Sequence, residues 1–167
     1  MKKPIALSLL LLLSFSLAAQ KFAYVNTQYI LEKIPEYKQA KQQLDEYSKQ
    51  YQQEIEQLYQ QVDELYRQYQ KDKVLLSEEM RRKREEEIVE LENKAKALQK
   101  QYFGQDGELF KRRKELVQPI QDQVYENVQK IAEERNYAII FDTAAGAVVL
   151  YSNPQYDKSD EVLKEMG

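Results

Sequence analysis

The chain has 167 residues, with 25 Lys and Arg against 28 Asp and Glu, and no His or Cys. Without imidazole or thiol, the commonest general base, metal ligand and nucleophile are missing, disulfides are excluded, and the acidic balance argues against nucleic acid as a partner. Long stretches of Gln, Glu and Lys with only 4 Gly and 4 Pro predict long exposed helices rather than a globule.

Lys2 and Lys3 precede an apolar core from Ile5 to Leu17 and the small residues Ala18 and Ala19, the pattern of a secretory signal peptide over residues 1–19. The apolar stretch of about 13 residues is shorter than the roughly 20 a spanning helix needs, so export with cleavage near Ala19 is expected. Removing that segment takes away two lysines and no acids, which makes the remainder more acidic.

Lys21–Val25 is a β-prone run, and Asn26 is placed to cap a short helix through about Lys33. Pro35 suits the first turn of a new helix. From there apolar residues fall at Leu44, Tyr51, Ile55, Leu58, Val62, Leu65, Tyr69 and Leu76, alternating four and three apart from Tyr51 to Tyr69. This is a heptad seam, with Ile55, Val62, Tyr69 and Leu76 at a and Leu44, Tyr51, Leu58 and Leu65 at d. An ordinary amphipathic helix would show a broader stripe.

The seam stops near 76–78, where Ser77 can cap a new helix and Glu78 and Glu79 occupy its first turn. A second seam follows at Ile88, Leu91, Ala95, Leu98 and Tyr102. Two heptad helices joined by a short tip predict an antiparallel hairpin over residues 36–103, its first arm (Glu36–Leu76) about 60 Å long. Apolar residues continue through Leu109, Leu116, Val117, Ile120, Val124, Val128 and Ile131 to an end at Asn136, with a flexible joint at Gly104 and Gly107 and a kink at Pro119. YAIIF at 137–141 and AVVLY at 147–151 read as a β-hairpin, and Ser159 or Asp160 as the cap of a last helix from about Glu161.

The fold class is therefore α+β: a long antiparallel coiled-coil hairpin protruding from a small β-sheet body formed by residues 20–35 and 104–167. Three strands bury too little for an independent core, so association between chains is expected.

Tyr59 and Tyr66 lie seven apart beside the seam, where a ring with a polar tip could meet a non-native chain or simply widen the helix interface. Arg81, Arg82, Lys83 and Arg84 resemble a handle for anionic headgroups, but Glu78 and Glu79 stand four residues before Arg82 and Lys83, which suits a salt-bridged face. Lys111, Arg112, Arg113 and Lys114 have fewer acids nearby and are the stronger anion-contact candidate. No catalytic, cofactor or metal site is read. Gly104-Gln-Asp-Gly107 lacks the alternating oxygens of a calcium loop, and turn chemistry explains Asp142.

With FAYVN at 22–26, YAIIFDTAAGAVVLY at 137–151 and DEVLKEM at 160–166 at its ends, the chain resembles the Skp (OmpH) family of periplasmic chaperones. The resemblance implies a homotrimer whose β strands form a central body, with three hairpins hanging like tentacles around a cavity. It also implies an ATP-independent holdase that shelters unfolded outer-membrane β-barrel proteins in the periplasm. No cofactor is expected, and the basic runs add transient membrane or lipid contact as a further partner class. Well-studied members are strongly basic, and this acidic chain departs from them. The other reading of the residues is a non-catalytic structural or adaptor protein of the cell envelope.

Overall fold

The computed structural model describes residues 21–144, 146 and 149–167; the expected signal peptide lies outside the described residues. The elements in order are β1 (Lys21–Val25), α1 (Thr27–Lys33), α2 (Pro35–Asp72), α3 (Glu78–Phe103), α4 (Glu108–Arg135), β2 (Tyr137–Asp142), a 3-10 turn (Pro154–Tyr156) and α5 (Ser159–Met166). They are mostly long helices with one small sheet. Two compact units emerge, one of residues up to Ile30 together with Val124–Gly167, the other Leu31–Gln123.

In the first unit β1 and β2 pair in parallel, Phe22 opposite Ile139 and Val25 opposite Asp142, with a register irregularity after Lys21. Because strands alternate faces, Ala23 and Val25 point one way and are buried, as are Ile30, Val124, Ile131 and Val162. Asn26 caps α1 through Tyr29 N–H (2.9 Å), and Asn136, with φ of 55°, ends α4 in the left-handed region.

The hairpin expected from 137–141 and 147–151 does not form among the described residues. Val149, Leu150 and Tyr151 lie outside any strand, while residues 147 and 148 lie outside the described residues. The local reason is the use made of Asp142. Its carboxylate accepts from Thr27 N–H (3.2 Å), Thr27 Oγ1 (2.7 Å) and Ala144 N–H (2.9 Å), while Thr143 N–H donates to Val25 C=O (2.9 Å). These bonds hold Asp142 to the start of α1 and Thr143 to the end of β1.

The last helix starts at Ser159, two residues before the expected Glu161; Lys158, not Ser159 or Asp160, holds its N-cap position, and the Asp157 carboxylate just before it accepts from Ser159 N–H at 2.9 Å. Ser159 itself is buried, and its hydroxyl accepts from Asn26 N–H at 2.9 Å. Ion pairs Lys130–Glu165 and Arg135–Glu161, both 2.7 Å, link α4 to α5. The Lys130 ammonium beside Glu165 holds that carboxyl below its ordinary value.

In the second unit α2 and α3 run antiparallel, since Tyr51 stacks on Tyr102 (centroids 4.0 Å apart, planes 11° apart) while Tyr69 donates to Glu85. Of the seam positions, Tyr51, Ile55, Val62, Ile88 and Ala95 are buried, and Leu58, Leu65, Tyr69, Leu91, Leu98 and Tyr102 are partly buried. A tyrosine in a seam brings a hydroxyl that needs a partner. Tyr102 donates to Glu54 across the two helices, and this bond pushes its phenol up to about 12.

The first arm stops at Asp72, four residues short of the expected Leu76, and Lys73–Ser77 forms the turn. Three successive apolar residues, Val74, Leu75 and Leu76, cannot all face one narrow seam, and Ser77 caps α3 through Met80 N–H (3.3 Å). The second arm ends at Phe103, and the helix expected to continue to Asn136 is interrupted before Glu108. The Gly104 and Gly107 joint is a tight turn, not a flexible one: Gly107 N–H bonds Gly104 C=O at 2.9 Å, and a Cβ at Gly107 would sit 2.7 Å from Tyr102 C=O. Pro119 lies inside α4 without ending it.

Gly107→Ala should lower the urea midpoint, with a loss of about 1–3 kcal/mol for the overpacked turn; a flexible joint would instead gain about 0.4–1 kcal/mol from the same change. The Tyr102–Glu54 bond should contribute its full stability below the ordinary phenol value of 10.0 and lose it as pH rises through about 12. Wild type and Tyr102→Phe, unfolded in parallel along that range, should therefore converge at the alkaline end.

Candidate functional site

Tyr59 and Tyr66 stand on α2 with exposed rings, 37% and 51% accessible. Seven residues apart, they share one face of the helix about 10 Å apart. Lys111–Lys114 occupy the first turns of α4, where charges differ in their freedom. Lys111 pairs with Glu108 (2.9 Å), and Arg112 pairs with Glu115 (3.1 Å) while its guanidinium lies 5.2 Å from the Tyr47 ring centroid. Hydrogen bonding to Tyr51, then the charge of Glu115, holds the Arg112 guanidinium above its ordinary value. Arg113 and Lys114 are exposed and make no ion pair among the described residues.

The structure therefore splits the six candidates into two patches. Arg112 lies against Tyr47, and along α2 the distance from Tyr47 to Tyr59 is about 18 Å and to Tyr66 about 28 Å. Arg112 is committed to positioning helices, whereas Arg113 and Lys114 remain available.

Sequence reasoning missed Phe103 and Phe110, which flank the glycine turn with 38% and 51% of their surface accessible. With Leu44, Leu109 and Val117 they line an open groove of about 480 Å³, and Lys41 and Arg113 stand at its margin. The available signal was their register. Each lies one residue beyond an apolar position, Tyr102 or Leu109, and so off the seam.

At the other end of the hairpin the expected pairing of Glu78 and Glu79 with Arg82 and Lys83 is not found. Glu78 pairs with Arg81 (3.7 Å) and Glu87 with Arg84 (2.8 Å), each three residues apart, because these rotamers bring the groups together over a single turn. Arg82 and Lys83 make no ion pair among the described residues. The Asp142 carboxylate accepts from Thr27 at the start of α1 and from Ala144 N–H, which gives it a role in the turn. Among the described residues no group of three His, Cys, Asp or Glu side chains could hold a metal ion, and no helix is long and apolar enough to cross a membrane.

The unit-one sheet has a second face. Phe22, Tyr24, Ile139 and Phe141 share it by register, and Phe22, Ile139 and Phe141 are each nearly half accessible. An open groove of about 990 Å³ lies along this face, bounded also by Val149, Tyr151 and Tyr156. Such an aromatic face in water is out of keeping with a finished sheet, which would cover it.

Comparison with known proteins agrees with this architecture. A solved structure of a candidate outer membrane chaperone (OmpH-like) from Caulobacter crescentus CB15 superposes with a TM-score of 0.69 over 89% of this chain and 85% of that one, at 12% identity. The chain is also 27% identical over 151 residues to a protein named chaperone protein Skp from Vibrio cholerae serotype O1, covering 88% of this chain and 83% of that protein. Residues 21–166 match the profile of the family described as outer membrane protein (OmpH-like), a span that takes in every element from β1 to α5, and the chain belongs to that family.

Proposed function

We propose that this protein is an ATP-independent holdase of the periplasm, a homotrimer that binds unfolded outer-membrane β-barrel proteins between its helical arms and keeps them from aggregating. The observation that carries the reading is the uncovered aromatic face of the β1–β2 sheet. Phe22, Tyr24, Ile139 and Phe141 form an apolar surface on a two-stranded sheet too small to be stable alone, and copies of the same chain are the economical cover for it. In this reading residues 20–35 and 104–167 make the shared body, and residues 36–103 the arm.

Capture then falls to the arms. Tyr59 and Tyr66 present amphipathic rings to water, and Arg113 and Lys114 add cations beside Phe110, so an extended chain meets scattered weak contacts rather than one tight pocket. A barrel precursor suits such a surface, because its strands alternate apolar residues and its unpaired edges aggregate. The pattern of residues 1–19 supports export to the periplasm.

Native mass measurement of the processed chain should give three copies, and Phe141→Glu should shift it toward one by placing a charge in the proposed interface. An unfolded barrel protein diluted into buffer without ATP should scatter less light when the trimer is present at stoichiometric amounts. Tyr59→Ala combined with Tyr66→Ala should weaken that protection several-fold while leaving the mass unchanged. A single-copy wild type, or aggregation that proceeds unchecked, removes the proposal, and one dominant folded partner in envelope pull-downs would favour an adaptor.

A further inference from the structure

The groove between residues 41–48 of α2 and the start of α4 has no task in the helix packing around it. Its apolar walls are Leu44 on α2 and Phe103, Leu109, Phe110 and Val117 on either side of the glycine turn, and its volume of about 480 Å³ falls within the roughly 300–1,000 Å³ of small-ligand sites. The groove is preformed, because the Tyr51–Tyr102 stack holds α2 to α3 and Arg112, 5.2 Å from the Tyr47 ring centroid, holds the first turns of α4 to α2. All of its walls lie within one compact unit, Leu31–Gln123.

Charge is arranged around this apolar floor. Lys41, Asp45 and Ser48 recur four and three residues apart along α2 and so share a face, while Arg113 stands one turn after Phe110 on α4, and all four border the groove. The acids flanking Arg113 are engaged elsewhere, Glu108 with Lys111 and Glu115 with Arg112. Lys41, Asp45 and Arg113 make no ion pair among the described residues. Two uncommitted cations and one uncommitted carboxylate thus rim a pocket floored by two phenylalanines.

We propose that this groove binds the carboxyl-terminal end of an extended polypeptide whose last residue is large and apolar, with that side chain between Phe103 and Phe110, the terminal carboxylate on Lys41 and Arg113, and a neighbouring backbone N–H donating to Asp45. Charge and hydrogen-bonding complementarity select this occupant. A terminal carboxylate only accepts, so it answers the two cations, and the Asp45 carboxylate needs a donor that a peptide N–H supplies. A simple amphiphilic anion would face Asp45 with no donor, and an internal stretch of chain would bring no anion to the cations. On the holdase reading, on which this assignment rests for the source of such chain ends, the groove gives an unfolded client one fixed point besides the scattered contacts along the arms.

The test is equilibrium binding of the full processed chain to short dye-labelled alanine peptides ending in Phe, one with a free carboxyl terminus and one amidated, read by fluorescence anisotropy. The free acid should bind about tenfold tighter than the amide, as a charge-assisted contact requires, and about tenfold tighter than a free acid ending in Ser, which buries no ring. Lys41→Gln with Arg113→Gln should bring the free acid down to the affinity of the amide while leaving the amide, helicity and oligomeric mass unchanged. Equal affinity for acid and amide, a preference that survives the double variant, octanoate competing as well as the Phe peptide, or a Phe110→Ser variant that lowers the oligomeric mass, as for a face covered by a second copy, would each overturn the proposal. Protection of an unfolded barrel protein, measured on the same material, separates the two readings. Protection without preference for the free acid overturns the groove assignment and leaves the holdase, whereas preference without protection supports the groove and removes the holdase.

Discussion

The parallel pairing of β1 with β2 is the constraint from which the rest of this chain is organised. Antiparallel neighbours can be joined by a two-residue turn, but parallel neighbours need a crossover, usually helical. Here the crossover is everything from Asn26 to Asn136, and the hairpin of α2 and α3 is an elongation of it. Both ends of the excursion are fixed by short-range chemistry at the sheet: Asp142, at the end of β2, accepts from Thr27 at the start of α1, and Asn136 turns the chain from α4 into β2. A strand pair of five or six residues thus gathers the two ends of a long helical path.

Within that path the seam is narrow, and its register rests on polar as well as apolar contacts. Heptad apolar positions alone tolerate slippage by a whole repeat, because the pattern looks the same after each one. Tyr51 and Tyr102 restrict that freedom. Their stack fixes one level, and the Tyr102 hydroxyl finds Glu54 there, where a slip by one heptad would bring Tyr47 or Gln61 instead. Ala95, fully buried, allows the helices to approach closely where a larger residue would hold them apart.

What could be read from the sequence was what local chemistry decides. Lys21–Val25, the Asn26 cap, Pro35 opening α2, Ser77 opening α3 and the left-handed Asn136 each depend on a few neighbouring residues, and the structure has all of them. The partner of β2 was not legible, because pairing across more than a hundred residues leaves no periodicity to count, whereas 147–151 lay close by and looked like a strand. Gly104 and Gly107 misled for a related reason: a glycine needed for backbone approach and one that merely loosens a helix are the same letter. In the candidate site the individual residues could be named, but their separation into two patches could not, since it follows from which turn of α2 faces α4. Phe103 and Phe110 were passed over because reading for a seam discards whatever falls beside it.

That last omission bears on how an acidic chain could hold another chain in water. With acids in excess, long-range attraction for anionic clients is weak, and at physiological salt fields beyond about 8 Å are screened in any case. Local surfaces then matter more than net charge. Exposed rings beside the seam and next to free cations provide contact area with a polar rim, and their spacing along the helices suits many separate footholds better than one deep pocket. A hold made of such contacts is individually weak and collectively adjustable. On the proposed holdase reading, that combination keeps a bound chain from aggregating while leaving it able to depart and fold.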